Sequence, residues 1–257
     1  MELIVVDNGS TDDTPAVLAG WAATAQIPCT LVSEPRAGLS IARNAAMRTA
    51  QGDIFAFTDD DCVLSETYLD DLTRHYAGDG GPIIRGGRIE LGDVLDAPFT
   101  IKTLDFREQM TARSNFGGFV HGANMTLTRS VFEKIGFFDE RFGAGTRLQA
   151  GEDTDYLLRA FAAGITVEYV PDMTVYHFHG RRDPKEIRKL VWGYSIANGA
   201  LMAKHRHVGL ARNIYWDVKN AVKELWGGSA LSRDFGLTYR SIVANNVRGM
   251  VRYYWVG

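Results

Sequence analysis

The chain has 257 residues, 46% hydrophobic and 23% charged, with a formal net charge of −3. That is enough for one large domain, or a domain with an appendage, of ordinary globular composition. The balance gives no reason to expect a nucleic-acid partner, and two cysteines, Cys29 and Cys62, make neither a disulfide framework nor a zinc site.

The charge is unevenly placed. Residues 1–180 carry 14 Lys and Arg against 26 Asp and Glu, a net −12, whereas residues 181–257 carry 14 against 5, a net +9. An acidic body with a basic tail suggests that the tail faces something anionic. The opening MELIVVDNGS has no basic leader and too short an apolar run for a signal peptide. No run reaches the ~18 apolar residues of a membrane span.

In chain order, ELIVVD is a short β-branched run ending in the turn-rich DNGSTDDT, which predicts a buried parallel strand. A helix is expected from Pro15 to Ala25, with Pro15 in its first turn. CTLVSE predicts a second strand. Leu39, Ile41, Ala42, Ala45, Ala46 and Met47 recur at helical spacing, and Gly52 ends that helix. DIFAFT predicts another buried strand, followed by Asp59, Asp60 and Asp61 and a helix over SETYLDDLTRHYAG.

Beyond this, PIIRGGRIEL reads as a strand. A Gly-rich loop then leads to a short strand from Asn124 to Thr128 and a helix. GEDTDYLLRAFAAG predicts a helix with acidic residues in its first turn, where the macrodipole favours them. ITVEYVP and MTVYHFHG predict two short strands. From Lys185 the pattern is helical and basic. The alternation of strands and helices predicts an α/β fold with a largely parallel sheet, whose ligands gather at the carboxyl ends of strands.

Three adjacent carboxylates at a strand end repel one another unless something neutralises them. A divalent cation does so, because hard oxygen ligands and substrate phosphates together complete the shell of Mg²⁺ or Mn²⁺. Taken alone, DDD is equally well a solvated turn or a helix cap. Glu152, Asp153 and Asp155 lie near a helix start about 90 residues on, where capping is the simpler role. His177 and His179 alternate at a strand end, so both can point the same way.

In this order the motifs resemble family 2 glycosyltransferases of the GT-A fold. VVDNGSTDDT resembles the nucleotide-contacting strand and turn. RAGLSIARNAAMRTAQGDIFAFTDDDC resembles the ARN helix and the Asp-x-Asp strand. GANMTLTRSVFEKIGFFDERF resembles the segment lining the donor-sugar pocket, and GEDTDYLLRAFAAG the segment carrying the catalytic base. The resemblance spans roughly Glu2 to Gly180. It implies a Rossmann-like, mostly parallel sheet flanked by helices over residues 1–180, with a basic helical extension over 181–257.

The resemblance also implies roles. Asp7 and Asn8 contact the nucleotide base, although many members carry a second aspartate where this chain has Asn8. Arg43 sits by the base and phosphates. Asp59 and Asp61 form the metal-binding pair, with Asp60 near the ribose or solvent. Gly122, Ala123 and Asn124 border the donor sugar. Asp153 is the base with Glu152 as its orienter, and His177 adds a metal or phosphate contact, with His179 as the alternative.

The implied reaction is single-displacement, inverting transfer from a nucleotide-diphosphate sugar to a saccharide or lipid-linked acceptor. Mn²⁺ or Mg²⁺ is the expected cofactor. Surface polysaccharide or glycolipid synthesis is the expected setting, in the cytoplasm or peripherally at the inner face of the membrane.

The family opens with one more strand and helix, bearing a Pro-Thr-Tyr-Asn-like turn. Without that strand the sheet would leave backbone unpaired. Two rival readings are a sugar nucleotidyltransferase, whose Gly-rich phosphate loop is not visible here, and an inactive truncated paralogue that binds a sugar nucleotide. In the tail, RNIYWDVKNAVKELWGG and RSIVANNVRGMVRYYWVG mix basic with apolar and aromatic residues. Such faces pack on the body or lie on an anionic leaflet; packing is the favoured expectation.

Overall fold

The β-branched run Leu3–Asp7 forms β1, and its turn residues lead into α1 (Thr14–Ala22), with Pro15 in the first turn. β2 (Cys29–Ser33) returns parallel to β1, Leu3 opposite Cys29 and Asp7 opposite Ser33. α2 (Leu39–Thr49) buries Arg43, Asn44, Ala45 and Met47, then β3 (Ile54–Phe57) runs toward the three aspartates. The computed structural model describes residues 1–78, 80–206, 211–227, 231, 232 and 234–255, with backbone alone over 211–214.

Next come β4 (Cys62–Leu64), α3 (Tyr68–Tyr76), β5 (Ile83–Leu91) and β6 (Glu108–Gln109). A single 3₁₀ turn, Gly122–Asn124, feeds β7 (Met125–Thr128). α4 (Arg129–Ile135), α5 (Glu152–Ala162) and β8 (Thr166–His177) complete the body. α6 (Pro184–Lys204), α7 (Ala211–Leu225) and α8 (Tyr239–Trp255) follow.

The α/β class holds, but the sheet is mixed rather than mostly parallel. β3, β7, β5, β8 and β4 lie in that order, with β6 also on β8. Only β5 and β8 pair parallel there; the other pairs are antiparallel. The reason lies in the connections. β5 reaches β7 through loops and a two-residue strand rather than through a helix, and parallel neighbours need a crossover that this stretch lacks.

β1 and β2 form a separate two-stranded ladder. Among the described residues β1 pairs only with β2, and β3 only with β7. The Glu2 carboxylate links the starts of the two ladders, accepting from the backbone N–H of Gln51 at 2.7 Å and of Gly52 at 2.9 Å.

The two short strands expected over residues 165–180 are one. β8 carries Pro171 in a bulge: Gly87 faces Val170 and Arg88 faces Thr174, so residues 171–173 loop out. Proline is tolerated in a sheet at such a place. The core lies between this sheet and α4 and α5, where Ile84, Met125, Leu127, Tyr156, Leu157 and Leu158 are fully buried.

α6 begins with Asp183 accepting from the Lys185 N–H at 2.8 Å, with Pro184 next to it. Its far end is tied to the body. Lys204 contacts Asp139 at 2.7 Å and Asp155 at 2.6 Å, and His205 meets Asp155 at 2.7 Å. Burial alone would raise the Asp155 carboxyl; its bonds to His205 and Lys204 and the charge of Arg159 outweigh that and hold it below the usual carboxylate range.

α8 lies against α6 with almost no side chain between. A Cβ on Gly199 would come within 1.8 Å of the Asn246 carbonyl oxygen, and one on Gly249 within 1.8 Å of that of Ile196. α6 and α8 thus pack as expected, while α7 leaves Trp216, Val218, Val222, Leu225 and Trp226 exposed. Ile214 lies outside the residues with described side chains. No described helix is long and apolar enough to cross a membrane.

Candidate active site

Arg43 is the hub. It projects from α2, is 6% exposed, and donates to Glu152 at 2.8 Å and to Asp59 at 3.1 Å. It can reach both because Gly122 has no side chain: a Cβ there would lie 2.4 Å from a guanidinium nitrogen. The Gly122 N–H donates to Asp153 at 3.1 Å. Four residues expected at the site, Arg43, Asp59, Glu152 and Asp153, are thus joined around one glycine.

Asp153 stands in the first turn of α5. Its other oxygen accepts from the Thr154 N–H at 2.6 Å and the Thr154 hydroxyl at 3.2 Å. Both carboxylate oxygens are therefore oriented, by donors from two different segments. Glu152 is 6% exposed. Burial and the neighbouring Asp153 push its carboxyl up to about 7, against the pull of Arg43.

A second cluster lies where β4 meets β8. Cys62 faces His177 across the ladder, and the His177 Nε2 is 3.2 Å from Asp61. The Cys62 Sγ is 3.7 Å from the same Asp61 oxygen. Asp61, Cys62 and His177 form a three-residue group with donor atoms close enough to hold one metal ion. Burial, chiefly, pushes the Cys62 thiol up to about 12; sulfur is also the softest donor of the three and the least suited to a hard cation.

The other expected residues divide clearly. Asp59, expected on a metal with Asp61, is engaged by Arg43 and lies outside the three-residue group. Asp60 is exposed. His179 shares a side with His177, their rings 5.2 Å apart. Both of its nitrogens are occupied, however: Nε2 by the Ala97 carbonyl at 3.1 Å and Nδ1 by the Arg181 N–H at 3.0 Å.

Asn124 is fully buried and fully engaged. It accepts from the Tyr68 hydroxyl at 2.8 Å and donates to the carbonyls of Arg88 and Met173 at 2.9 and 2.8 Å. Its side chain clamps the sheet, so only backbone remains for a sugar at this turn, alongside Gly122 and Ala123. Asn8 is similar: its amide bonds Glu34, Arg36 and Gly38 and fixes the loop after β2. Asp7 accepts from the Ser10 N–H at 3.1 Å.

The sequence profile of Glycosyl transferase family 2 matches residues 1–136, more than half of the chain. The chain belongs to this family. This transferase-family chain is 27% identical over 179 residues to the succinoglycan biosynthesis protein ExoM of Rhizobium meliloti. It is 24% identical over 181 residues to the glycosyltransferase AglE of Haloferax volcanii. Each alignment covers 68% of this chain and 56% of the other, so the chain spans about half the length of these relatives.

By structure, the chain resembles the mannosyltransferase PcManGT of Pyrobaculum calidifontis, solved with GDP-Man and Mn²⁺. The TM-score is 0.66 at 19% identity, over 99% of this chain and 78% of that one. It also resembles S. aureus TarS 1–349, solved with UDP-GlcNAc, at a TM-score of 0.55 and 14% identity, over 99% of this chain and 83% of that one. At such identities the likeness shows the fold, which is GT-A.

Sequence reading noted that Cys62 follows the acidic run but gave it no role beside Asp61 and His177. Its adjacency to Asp61 was visible; its pairing opposite His177 was not, because β4 is three residues long. It also missed His121, beside Asp153, whose imidazole burial draws down against the pull of that carboxylate. It gave no role to Tyr194 of α6 either. Burial and then the Asp153 charge push its hydroxyl up.

Proposed function

We propose that this chain is a metal-dependent, inverting hexosyltransferase moving a sugar from a nucleotide-diphosphate donor to an acceptor hydroxyl. One observation carries the reading: Arg43 ties Asp59 to Glu152 while Gly122 ties Arg43 to Asp153, with the Asp61 and His177 pair alongside in the fold. The nucleotide and metal bound by PcManGT support it. Residues 1–180 form the transferase body in this reading, and 181–257 its helical extension.

Asp61 and His177 offer an oxygen and an imidazole on one point, a donor set completed by phosphate oxygens that suits Mn²⁺ better than Mg²⁺, which prefers an all-oxygen shell. Once bound, the cation would act as a Lewis acid on the departing nucleoside diphosphate. Arg43 adds a fixed positive charge beside Asp59. Asp7, Asn8, Asp59 and Asp60 border the nucleotide, and Gly122, Ala123 and the Asn124 backbone border the sugar.

Asp153 is the base. The acceptor oxygen bonds to the anomeric carbon as that carbon's bond to the β-phosphate oxygen breaks, and the hydroxyl proton passes to Asp153. Its two oriented oxygens cost little reorganisation at that moment. Glu152 and Arg43 hold the α5 start in place. With one base and no protein nucleophile there is a single displacement, hence inversion.

Polysaccharide or glycolipid synthesis is the proposed setting, consistent with the name of ExoM. The exposed Trp216, Val218, Val222, Leu225 and Trp226 of α7, in a tail of net +9, suit a peripheral site on an anionic leaflet. The test is calorimetric titration of UDP, GDP and dTDP with and without Mn²⁺, on wild type and Asp61→Ala. Metal-dependent binding lost in Asp61→Ala is the expected result. A folded protein that binds none of the three overturns the reading.

A further inference from the structure

A cavity of about 490 Å³ separates the body from its helical tail, a volume typical of small-molecule sites. Asp153 lines one side. Tyr194 and Asn198 of α6, Asp217 of α7 and Asn246 of α8 line the other. Tyr194 and Asn198 are four residues apart on one helical face. The glycine contacts of α6 with α8 fix where Asn246 stands, since its own carbonyl lies at the crossing.

The far wall accepts hydrogen bonds and lacks partners for them. Among the described residues the one side-chain partner of Asp217 is the Asn246 amide, at 3.3 Å. The Asn246 side-chain oxygen is buried with no partner, in a residue only 2% exposed. A carboxylate takes up to about four hydrogen bonds, and an unpaired buried carbonyl is costly. Among the described residues no Lys or Arg lines the cavity, and its two carboxylates would repel an anion. Its chemistry suits a neutral ligand rich in hydroxyl donors.

We infer that this cavity is the acceptor pocket, that it takes a saccharide, and that Asp217 and Asn246 accept hydrogen bonds from the hydroxyls of that sugar. The inference rests on the reading of Asp153 as the base, because it sets the acceptor hydroxyl against that carboxylate. It also gives the tail a function beyond packing: three helices that the family profile does not reach supply the acceptor-recognising wall.

The test uses the 257-residue chain with nucleotide and Mn²⁺ present. Binding of p-nitrophenyl glucoside, galactoside, mannoside and N-acetylglucosaminide is followed by saturation-transfer NMR in wild type, Asp217→Asn and Asn198→Trp. Asn198 is exposed, so its replacement fills the cavity without disturbing a buried group. At least one glycoside should bind wild type and bind both variants tenfold or more weakly, with nucleotide affinity within twofold. If nucleotide binds but no glycoside does, or if both variants bind glycoside as wild type does, the acceptor pocket is wrong and the donor site stands. If folded wild type binds no nucleotide, the donor reading fails and takes this inference with it.

Discussion

Arg43 and Glu152 lie 109 residues apart in sequence and 2.8 Å apart in space, both more than nine-tenths buried. The same guanidinium holds Asp59 at 3.1 Å. A buried cation between two carboxylates is an all-or-nothing arrangement: removing one member leaves uncompensated charge in a low dielectric. Arg43→Met should therefore cost about 3–5 kcal/mol, measured by urea unfolding. Arg43→Lys should also destabilise, because one ammonium cannot reproduce the two-pronged contact.

The raised Glu152 carboxyl makes a pH prediction. Its folded value of about 7 exceeds its ordinary 4.5, so between these the folded state holds the proton more tightly than the unfolded chain. The contribution is fully present below about pH 4.5 and is lost as pH rises through 7. His121, drawn down below 6.5, works in the opposite sense over part of this window. The diagnostic is thus a difference: the melting temperature of wild type minus that of Glu152→Gln should fall from pH 5 to pH 7.5. A flat difference would show that Glu152 is ionised throughout.

Asp153→Asn removes the proposed base and keeps the size of the side chain. Transfer should fall by about 10²–10⁴ in kcat, while nucleotide affinity stays within twofold. A loss of nucleotide binding equal to the loss of turnover would instead place Asp153 in donor binding.

Cys62→Ser separates the thiol from its two neighbours. Sulfur is a soft donor poorly matched to Mn²⁺, so Mn²⁺-dependent nucleotide binding should survive in Cys62→Ser and weaken at least tenfold in His177→Ala. Binding lost in Cys62→Ser would make the sulfur a ligand.

Gly199→Ala tests the joint between body and tail. The new methyl would meet the Asn246 carbonyl at 1.8 Å, and α8 must then move away from α6, at about 1–3 kcal/mol. Gly20→Ala, in α1 with open space around it, should instead stabilise by about 0.5–1 kcal/mol. Thermal unfolding of the pair checks both signs.

Sequence by itself was enough for the α/β class, for most of the elements, and for the family, because those depend on local pattern and on motifs in a fixed order. The strand over DIFAFT, the helix after GEDTD and the acidic strand end needed no long-range information. Only the tertiary structure decided which carboxylate meets which partner. Asp59 and Asp61 are two residues apart and look alike in sequence; one meets Arg43 from α2 and the other His177 from β8. Asn8, Asn124 and His179 carry suitable chemistry, yet their side-chain polar atoms are already committed to partners within the protein, most of them backbone groups. The mixed sheet and the cavity beneath the tail were equally hidden, since strand direction and a wall built from α6, α7 and α8 depend on contacts between residues far apart in the chain.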